Sequence, residues 1–177
     1  MSKKILVLAG SPRKEGNSDL LCNELIRGAT ESGHTAEKVY LQDLKIGFCR
    51  ACYGCRHTGR CVQTDDMDML LDKMISADVI VLATPVYFYS MDGQMKTMID
   101  RTLPRYTEIR NKEFVFIATA AANAKAMERT IDGLRGFTDC LPGARVQRII
   151  LGSGAYQPGE IAGSNAAQEA YRAGQSI

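Results

Sequence analysis

The stretch Ile5–Ser18 reads Ile-Leu-Val-Leu-Ala-Gly-Ser-Pro-Arg-Lys-Glu-Gly-Asn-Ser. It begins as a short apolar run that Gly-Ser-Pro interrupts, and this length with these flanks predicts a buried strand rather than a helix. Apolar residues then recur at helical spacing from Leu20 to Ile26, and we expect Asn17 or Ser18 to cap that helix. The sequence therefore predicts a strand, a small polar loop and a helix N-terminus.

This arrangement is one that binds phosphate, because the first amides of a helix lack internal partners and the helix dipole favours an anion there. The hydroxyls of Ser11 and Ser18 could add hydrogen bonds, and Arg13 could add positive charge. The spacing from Gly10 to Gly16 is one residue longer than a Walker loop and lacks its lysine, and no Gly-x-Gly-x-x-Gly occurs here. Triphosphate and dinucleotide sites are therefore not expected, and an ordinary βα turn without a ligand is the alternative.

Composition narrows the class of protein. At 177 residues, 45% hydrophobic and 24% charged, the chain suits one globular domain spanning residues 1–177. Its net charge of +2 does not indicate a nucleic-acid or membrane surface, and no apolar run has transmembrane length. Gly-Ser-Pro-Arg breaks the first apolar run before a signal peptide is complete, so we expect a cytoplasmic protein whose six cysteines serve metal or redox chemistry rather than disulfides.

Strand patterns alternate with helical patterns along the chain. After the first strand, the predicted strands are His34–Tyr40, Asp78–Thr84, Phe114–Thr119 and Arg145–Leu151. This alternation predicts an α/β fold in which a five-stranded parallel sheet has helices on both faces. Ligands of such sheets bind at the carboxyl ends of the strands, near a topological switch point.

Several loops meet at that edge of the predicted sheet. We expect Pro85 to end the third strand, and three aromatic residues follow within the loop Pro85–Ser90. The small residues of Ala120–Asn123 permit close approach by a ligand, and Gly152–Gly154 follows the last strand. The predicted phosphate loop (residues 10–18) beside this aromatic loop suits a ligand with a phosphate and a flat ring, such as FMN. A loop packed on its own core or a subunit interface is the alternative for the aromatic residues.

A cysteine-rich loop spans about residues 45–64 and carries Cys49, Cys52, Cys55 and Cys61. Four close thiolates are a competent ligand set for a [4Fe–4S] cluster, and the surrounding arginines and His57 favour thiolates. Redox-active or free thiols and a structural zinc site are the alternatives. After the loop, we expect Thr64 to cap a helix whose first turn holds aspartates that complement its dipole.

Three motifs resemble those of the flavodoxin-like NAD(P)H-dependent flavin oxidoreductases. They are Gly10-Ser-Pro-Arg-x3-Asn17-Ser18, Thr84-Pro-Val-Tyr-Phe-Tyr-Ser-Met and Lys96-x3-Asp100-Arg101. The resemblance implies strand order 2-1-3-4-5, bound FMN and a homodimer or homotetramer. It places the FMN phosphate at Ser11, Arg13, Asn17 and Ser18, and the flavin ring at Pro85, Val86, Tyr87, Phe88, Tyr89, Ser90, Ala120 and Asn123. The spacing Cys49-x2-Cys52-x2-Cys55-x5-Cys61 is similar to the cluster motif of iron–sulfur flavoproteins.

The resemblance implies an FMN-dependent oxidoreductase. Such an enzyme takes electrons from NAD(P)H, or from a ferredoxin-like donor, and passes them to a flavin, a quinone, an iron–sulfur cluster or another small-molecule or protein partner. We expect no catalytic side chain, because hydride transfer occurs at flavin N5. The alternatives are a flavodoxin-like electron carrier, which the slightly basic composition does not favour, and a redox or metal sensor built on the cysteine loop.

Overall fold

The computed structural model describes residues 1–177 and contains one parallel sheet with helices on both faces. The strands are β1 (Lys4–Ala9), β2 (Thr35–Tyr40), β3 (Val79–Tyr87), β4 (Ser90–Met91), β5 (Glu113–Ala120) and β6 (Arg145–Ser153). The helices are α1 (Asn17–Glu31), α2 (Cys55–Thr58), α3 (Met67–Ser76), α4 (Gly93–Arg101), α5 (Glu128–Asp139) and α6 (Asn165–Gln175). The five parallel strands have the order β2-β1-β3-β5-β6, which confirms the predicted 2-1-3-4-5 sheet.

The central strands are apolar throughout because both of their faces are covered. One set of buried side chains packs between the sheet and the helices α1 and α6, and it includes Leu21, Leu25 and Ala170. The other set packs between the opposite face and the helices α3, α4 and α5, and it includes Leu70 and Met95. Burial on both faces explains why these strands read as continuous runs rather than as alternating patterns.

Helices α1 and α6 approach each other closely at two glycines. A Cβ atom added at Gly28 would overlap the carbonyl oxygen of Tyr171, and one added at Gly174 would overlap that of Leu25. The absence of a side chain at these positions therefore lets the two backbones come into contact. Helix α6 thus holds α1, whose N-terminus carries the predicted phosphate loop.

The prediction that Pro85 ends the third strand is wrong. Strand β3 continues to Tyr87, and Pro85 lies in register with Thr119 of β5. Pairing with β1 stops at Ala83, so Pro85 lies on an open edge of β3, where its missing N–H is tolerated. The expected aromatic loop is instead a hairpin that β3 and β4 form.

Two predicted helix caps are also wrong. Helix α1 has Gly16 at its N-cap, and α3 begins at Met67 after Asp66 rather than after Thr64. The side chain of Asn17 is engaged elsewhere, as described below. None of the helices combines the length and the apolar character that crossing a lipid bilayer requires.

Candidate functional site

A pocket of about 210 Å³ lies at the carboxyl edge of the sheet. It brings together residues from four chain segments that are far apart in sequence. Its lining residues are Ser11, Arg13, Gly16, Asn17, Ser18, Pro85, Val86, Tyr87, Thr119, Ala120, Ala121, Ala155, Tyr156 and Pro158. The predicted phosphate loop thus faces the stem of the β3–β4 hairpin, with the end of β5 and the loop after β6 completing the wall.

Most of the predicted cofactor-binding residues line this pocket, but Phe88, Tyr89, Ser90 and Asn123 do not. The hairpin explains the first three, because Tyr87 pairs with Ser90 and leaves Phe88 and Tyr89 at the turn. Both turn residues have positive φ angles, of 50° and 63°, as the favoured two-residue hairpin turns require. The side chain of Phe88 is fully exposed. An irregular loop could direct all these residues to the ligand, whereas the hairpin divides them between its stem and its tip.

The phosphate loop is ordered by its own polar groups. The hydroxyl of Ser11 accepts a hydrogen bond from the amide of Arg13 at 3.1 Å, and the carboxylate of Asp19 accepts one from the amide of Glu15 at 2.9 Å. The amides of Asn17 and Ser18, in the first turn of α1, have no partner within the protein. Free amides at a helix N-terminus beside Arg13 can therefore bind an anion in this pocket.

The side chain of Asn17 ties this loop to the loop after β6. Its amide nitrogen donates to the carbonyl oxygens of Gln157 at 2.9 Å and Ala155 at 3.3 Å. Its side-chain oxygen accepts from the amide of Ile161 at 3.3 Å. The carboxylate of Glu160 further orders the loop by accepting from the amides of Tyr156 and Gln157.

Sequence reasoning missed this wall. The only local signal is Gly152–Gly154, which the sequence places at the same edge of the sheet but without any side chain that faces a ligand. In the structure, Ala155, Tyr156 and Pro158 follow it into the pocket. The tyrosine is largely exposed at the rim, so an aromatic side chain is available on this side as Tyr87 is on the other.

Below the pocket, a buried carboxylate joins the ends of β1 and β3 to α4. Asp92 accepts hydrogen bonds from the hydroxyl of Thr84 at 2.6 Å and from the amide of Met95 at 2.9 Å. Burial raises the pKa of Asp92, against hydrogen bonds that act to lower it. A Cβ atom at Gly10 would overlap this carboxylate, so only glycine fits where β1 enters the phosphate loop. This contact fixes the phosphate loop relative to the hairpin stem.

The four cysteines of the loop at residues 45–64 line a second cavity, of about 20 Å³, together with Arg101. All of them are free thiols, and Cys49 and Cys52 are exposed. No three His, Cys, Asp or Glu side chains lie close enough together to hold a metal ion. The cavity has room for about one water molecule, so a cluster would require the loop to widen.

The donor groups around this cavity nevertheless fit an anionic group held by sulfur. The Nε atom of Arg101 is buried and has no hydrogen-bond partner. The backbone amides of residues 50–55 have no partner within the protein either. Ala51 and Tyr53 have positive φ angles, so left-handed residues alternate with others along this segment, as they do in anion-binding nests. Four thiols surrounded by free N–H donors are the donor set that an iron–sulfur cluster uses.

The model of the NADPH-dependent FMN reductase family matches residues 3–154. The chain belongs to this family. It is therefore an oxidoreductase that uses FMN and NAD(P)H, as the sequence motifs predicted. The match leaves the last part of the chain, including α6, outside the family model.

Curated relatives include iron–sulfur flavoproteins of two archaea. One, from Methanocaldococcus jannaschii, is 36% identical over 76% of this chain and 70% of its own length. Another, from Archaeoglobus fulgidus, is 42% identical, but the match covers 57% of this chain and 46% of that protein. Among solved structures, an NAD(P)H:quinone oxidoreductase from Methanothermobacter marburgensis has a TM-score of 0.76 over 99% of this chain and 97% of its own, at 17% identity. The structural likeness confirms the fold.

Proposed function

We propose that the pocket at the carboxyl edge is the FMN site. The phosphate then lies at the N-terminus of α1, among Ser11, Arg13, Asn17 and Ser18, where free amides and a cation meet. The ring lies against Pro85, Val86, Tyr87 and Ala120. The observation that carries this proposal is that the phosphate loop and the hairpin stem, which are remote in sequence, line one pocket.

The chain's own residues shape and enclose this site. The hairpin stem and the loop after β6 place Tyr87 and Tyr156 at its rim, where aromatic side chains can limit the access of water to a flat ring. FMN, when bound, supplies the hydride-accepting and electron-releasing chemistry. No acid or base is needed from the protein for hydride transfer, so we assign the residues of the pocket to binding and orientation.

We propose that electrons from NAD(P)H, or from a ferredoxin-like donor, leave the flavin for an acceptor such as a quinone, a free flavin or a [4Fe–4S] cluster. Cys49, Cys52, Cys55 and Cys61 would hold that cluster. The free N–H groups around the second cavity and the names of the relatives support this proposal. The alternatives for this loop are a bound zinc ion and redox-active thiols without a metal. Iron analysis distinguishes both of them from a cluster.

We also propose that residues 1–177 act as one FMN-binding domain in a homodimer or homotetramer. The exposed side chains of Phe88 and Tyr89 at the hairpin tip, next to the pocket wall, support contact with a second copy of the chain. Six unpaired thiols favour a reducing compartment, so we place the protein in the cytoplasm.

The enzyme proposal is tested by steady-state oxidation of NADH and NADPH by the FMN-loaded protein under anaerobic conditions. A quinone, free FMN and a viologen dye are offered separately as acceptors. We expect turnover with at least one acceptor, and loss of turnover when FMN is removed and its recovery when FMN is restored. Tight FMN binding without turnover on any acceptor would instead indicate an electron carrier or a sensor.

A further inference from the structure

Arg101 is a buried cation in the wall of the four-cysteine cavity. It is the last residue of α4, its side chain is 1% exposed, and it lines the cavity together with the cysteines. Burying a guanidinium requires partners for its charge and its N–H groups. The surroundings of Arg101 supply most of them, but not all.

Two of its nitrogens fix both ends of the cysteine loop. Nη1 donates to the carbonyl oxygen of Gly47 at 2.6 Å and to Asp65 at 2.7 Å, and Nη2 donates to the other oxygen of Asp65 at 2.9 Å. Asp65 in turn accepts from the amides of Gly47 and Met67. Burial acts to raise the pKa of Asp65, but Arg101 and these amides outweigh it and hold that pKa below its usual value. The ion pair thus closes the base of the loop.

The third nitrogen, Nε, has no partner, although it is buried. Arg101 and Cys61 both line this cavity. Asp65, the ion-pair partner of Arg101, does not line the cavity. The carboxylate that does line it, Asp100, pairs with Lys96 at 2.5 Å. A buried cation with a free N–H therefore lies in the wall that the cysteines also form.

We propose that Arg101 is a positioning residue that sets the electrostatics of the cysteine site: it anchors the loop through Asp65 and presents its charge and its Nε–H to the sulfurs of the cluster. A cation and an N–H donor beside the sulfurs stabilise the more negative, reduced state of a cluster, and so raise its reduction potential. This inference rests on the proposed cluster in the cysteine loop.

The experiment compares wild type, R101K, the double variant R101M/D65N and R105M. The double variant removes both charges of the ion pair, so that no partly buried carboxylate is left without its partner. R105M is the matched control, because Arg105 pairs with Asp72 and Glu108 but does not line the cavity. Each protein is purified anaerobically, and its iron content and the midpoint potential of the cluster are measured, the latter by dye-mediated titration.

We expect R101M/D65N to keep its iron but to shift the reduction equilibrium of the cluster about tenfold toward the oxidised state, which is about 59 mV for one electron. R101K and R105M should stay near the wild-type potential. Loss of iron from the double variant alone, with R101K unchanged, would also show that the site needs the charge.

Two results would overturn the inference. One is a double variant with full iron and the wild-type potential. The other is loss of iron from both R101K and the double variant, which would make Arg101 a structural anchor of the loop only. A wild-type protein without iron would instead remove the proposed cluster itself, and the inference with it.

Discussion

Asn17 offers the sharpest test of how the FMN pocket is built. The sequence motif assigns this residue to the phosphate, whereas the structure engages its side chain in three hydrogen bonds to the loop after β6, at 2.9, 3.3 and 3.3 Å. Replacing Asn17 by alanine removes all three. We expect the loop that carries Tyr156 to lose its fixed position while the sheet stays folded.

The size of the effect follows from these bonds. A neutral hydrogen bond contributes about 0.5–1.5 kcal/mol net. Two of these three are long, at 3.3 Å, so at about 0.5–1 kcal/mol each the three hold the loop by about 1.5–3 kcal/mol. If most of this ordering must be restored when the ligand binds, affinity falls by about 1–2 kcal/mol, or about 5- to 30-fold. Because the loop contacts the ligand as a wall and not through the phosphate, FMN and riboflavin should both bind more weakly.

The assay is quenching of flavin fluorescence on titration with the apoprotein, with FMN and riboflavin measured in parallel. The matched control is Gln157→Ala in the same loop, because only the backbone of Gln157 takes part in the contacts described. Weaker binding of FMN alone would show that the side chain of Asn17, and not only its backbone amide, contacts the phosphate. Unchanged binding of both ligands would show that the loop does not form the wall of the site.

Ser11→Asp should weaken the binding of FMN but not of riboflavin, because repulsion between a carboxylate and a phosphate about 4 Å away costs about 1–4 kcal/mol. Equal weakening of the binding of both ligands in the same fluorescence titration would place the phosphate elsewhere. Gly28→Ala should destabilise the fold by about 1–3 kcal/mol in thermal denaturation, because the new Cβ overlaps the carbonyl oxygen of Tyr171. The control Gly136→Ala should not, because the space around Gly136 is open. Equal melting temperatures of the two variants would refute the α1–α6 contact. Since the pKa of Asp65 is lowered in the folded state, the stabilising effect of its carboxylate is complete above about pH 4 and is lost as the pH falls further. Asp65→Asn should therefore lower the free energy of unfolding at pH 7 and make it depend less on pH in acid. An unchanged pH dependence of the free energy of unfolding in chemical denaturation would contradict this.

Local patterns predicted the sheet well because its strands are short apolar runs covered on both faces. The run from Ile5 and the strand after Asp78 carry this signal within themselves, and alternation with helices then determines a parallel sheet. Pro85 does not end the strand because a proline does so only where the sheet needs an N–H at that position, and that depends on where pairing with β1 stops. No local pattern contains that information.

The missed contacts of the two sites share one physical cause. The loop that Asn17 holds is about 140 residues away along the chain, and Asp65 lies 36 residues from Arg101. Both side chains had an adequate local explanation, as a helix cap or as a charge that complements a helix dipole. Tertiary contacts replaced those local roles, so the residue types were recognised as important while their partners were not.

The proposed arrangement is one chain that joins an FMN pocket to a cysteine-held cluster. It is tested most directly by the visible absorption spectrum of anaerobically purified protein, recorded before and after dithionite, with FMN and iron measured on the same sample. We expect one FMN per chain, four iron atoms, and broad absorption beneath the flavin bands that bleaches on reduction. A pure flavin spectrum with no iron would contradict the cluster, and a spectrum without flavin in protein supplied with FMN would contradict the pocket.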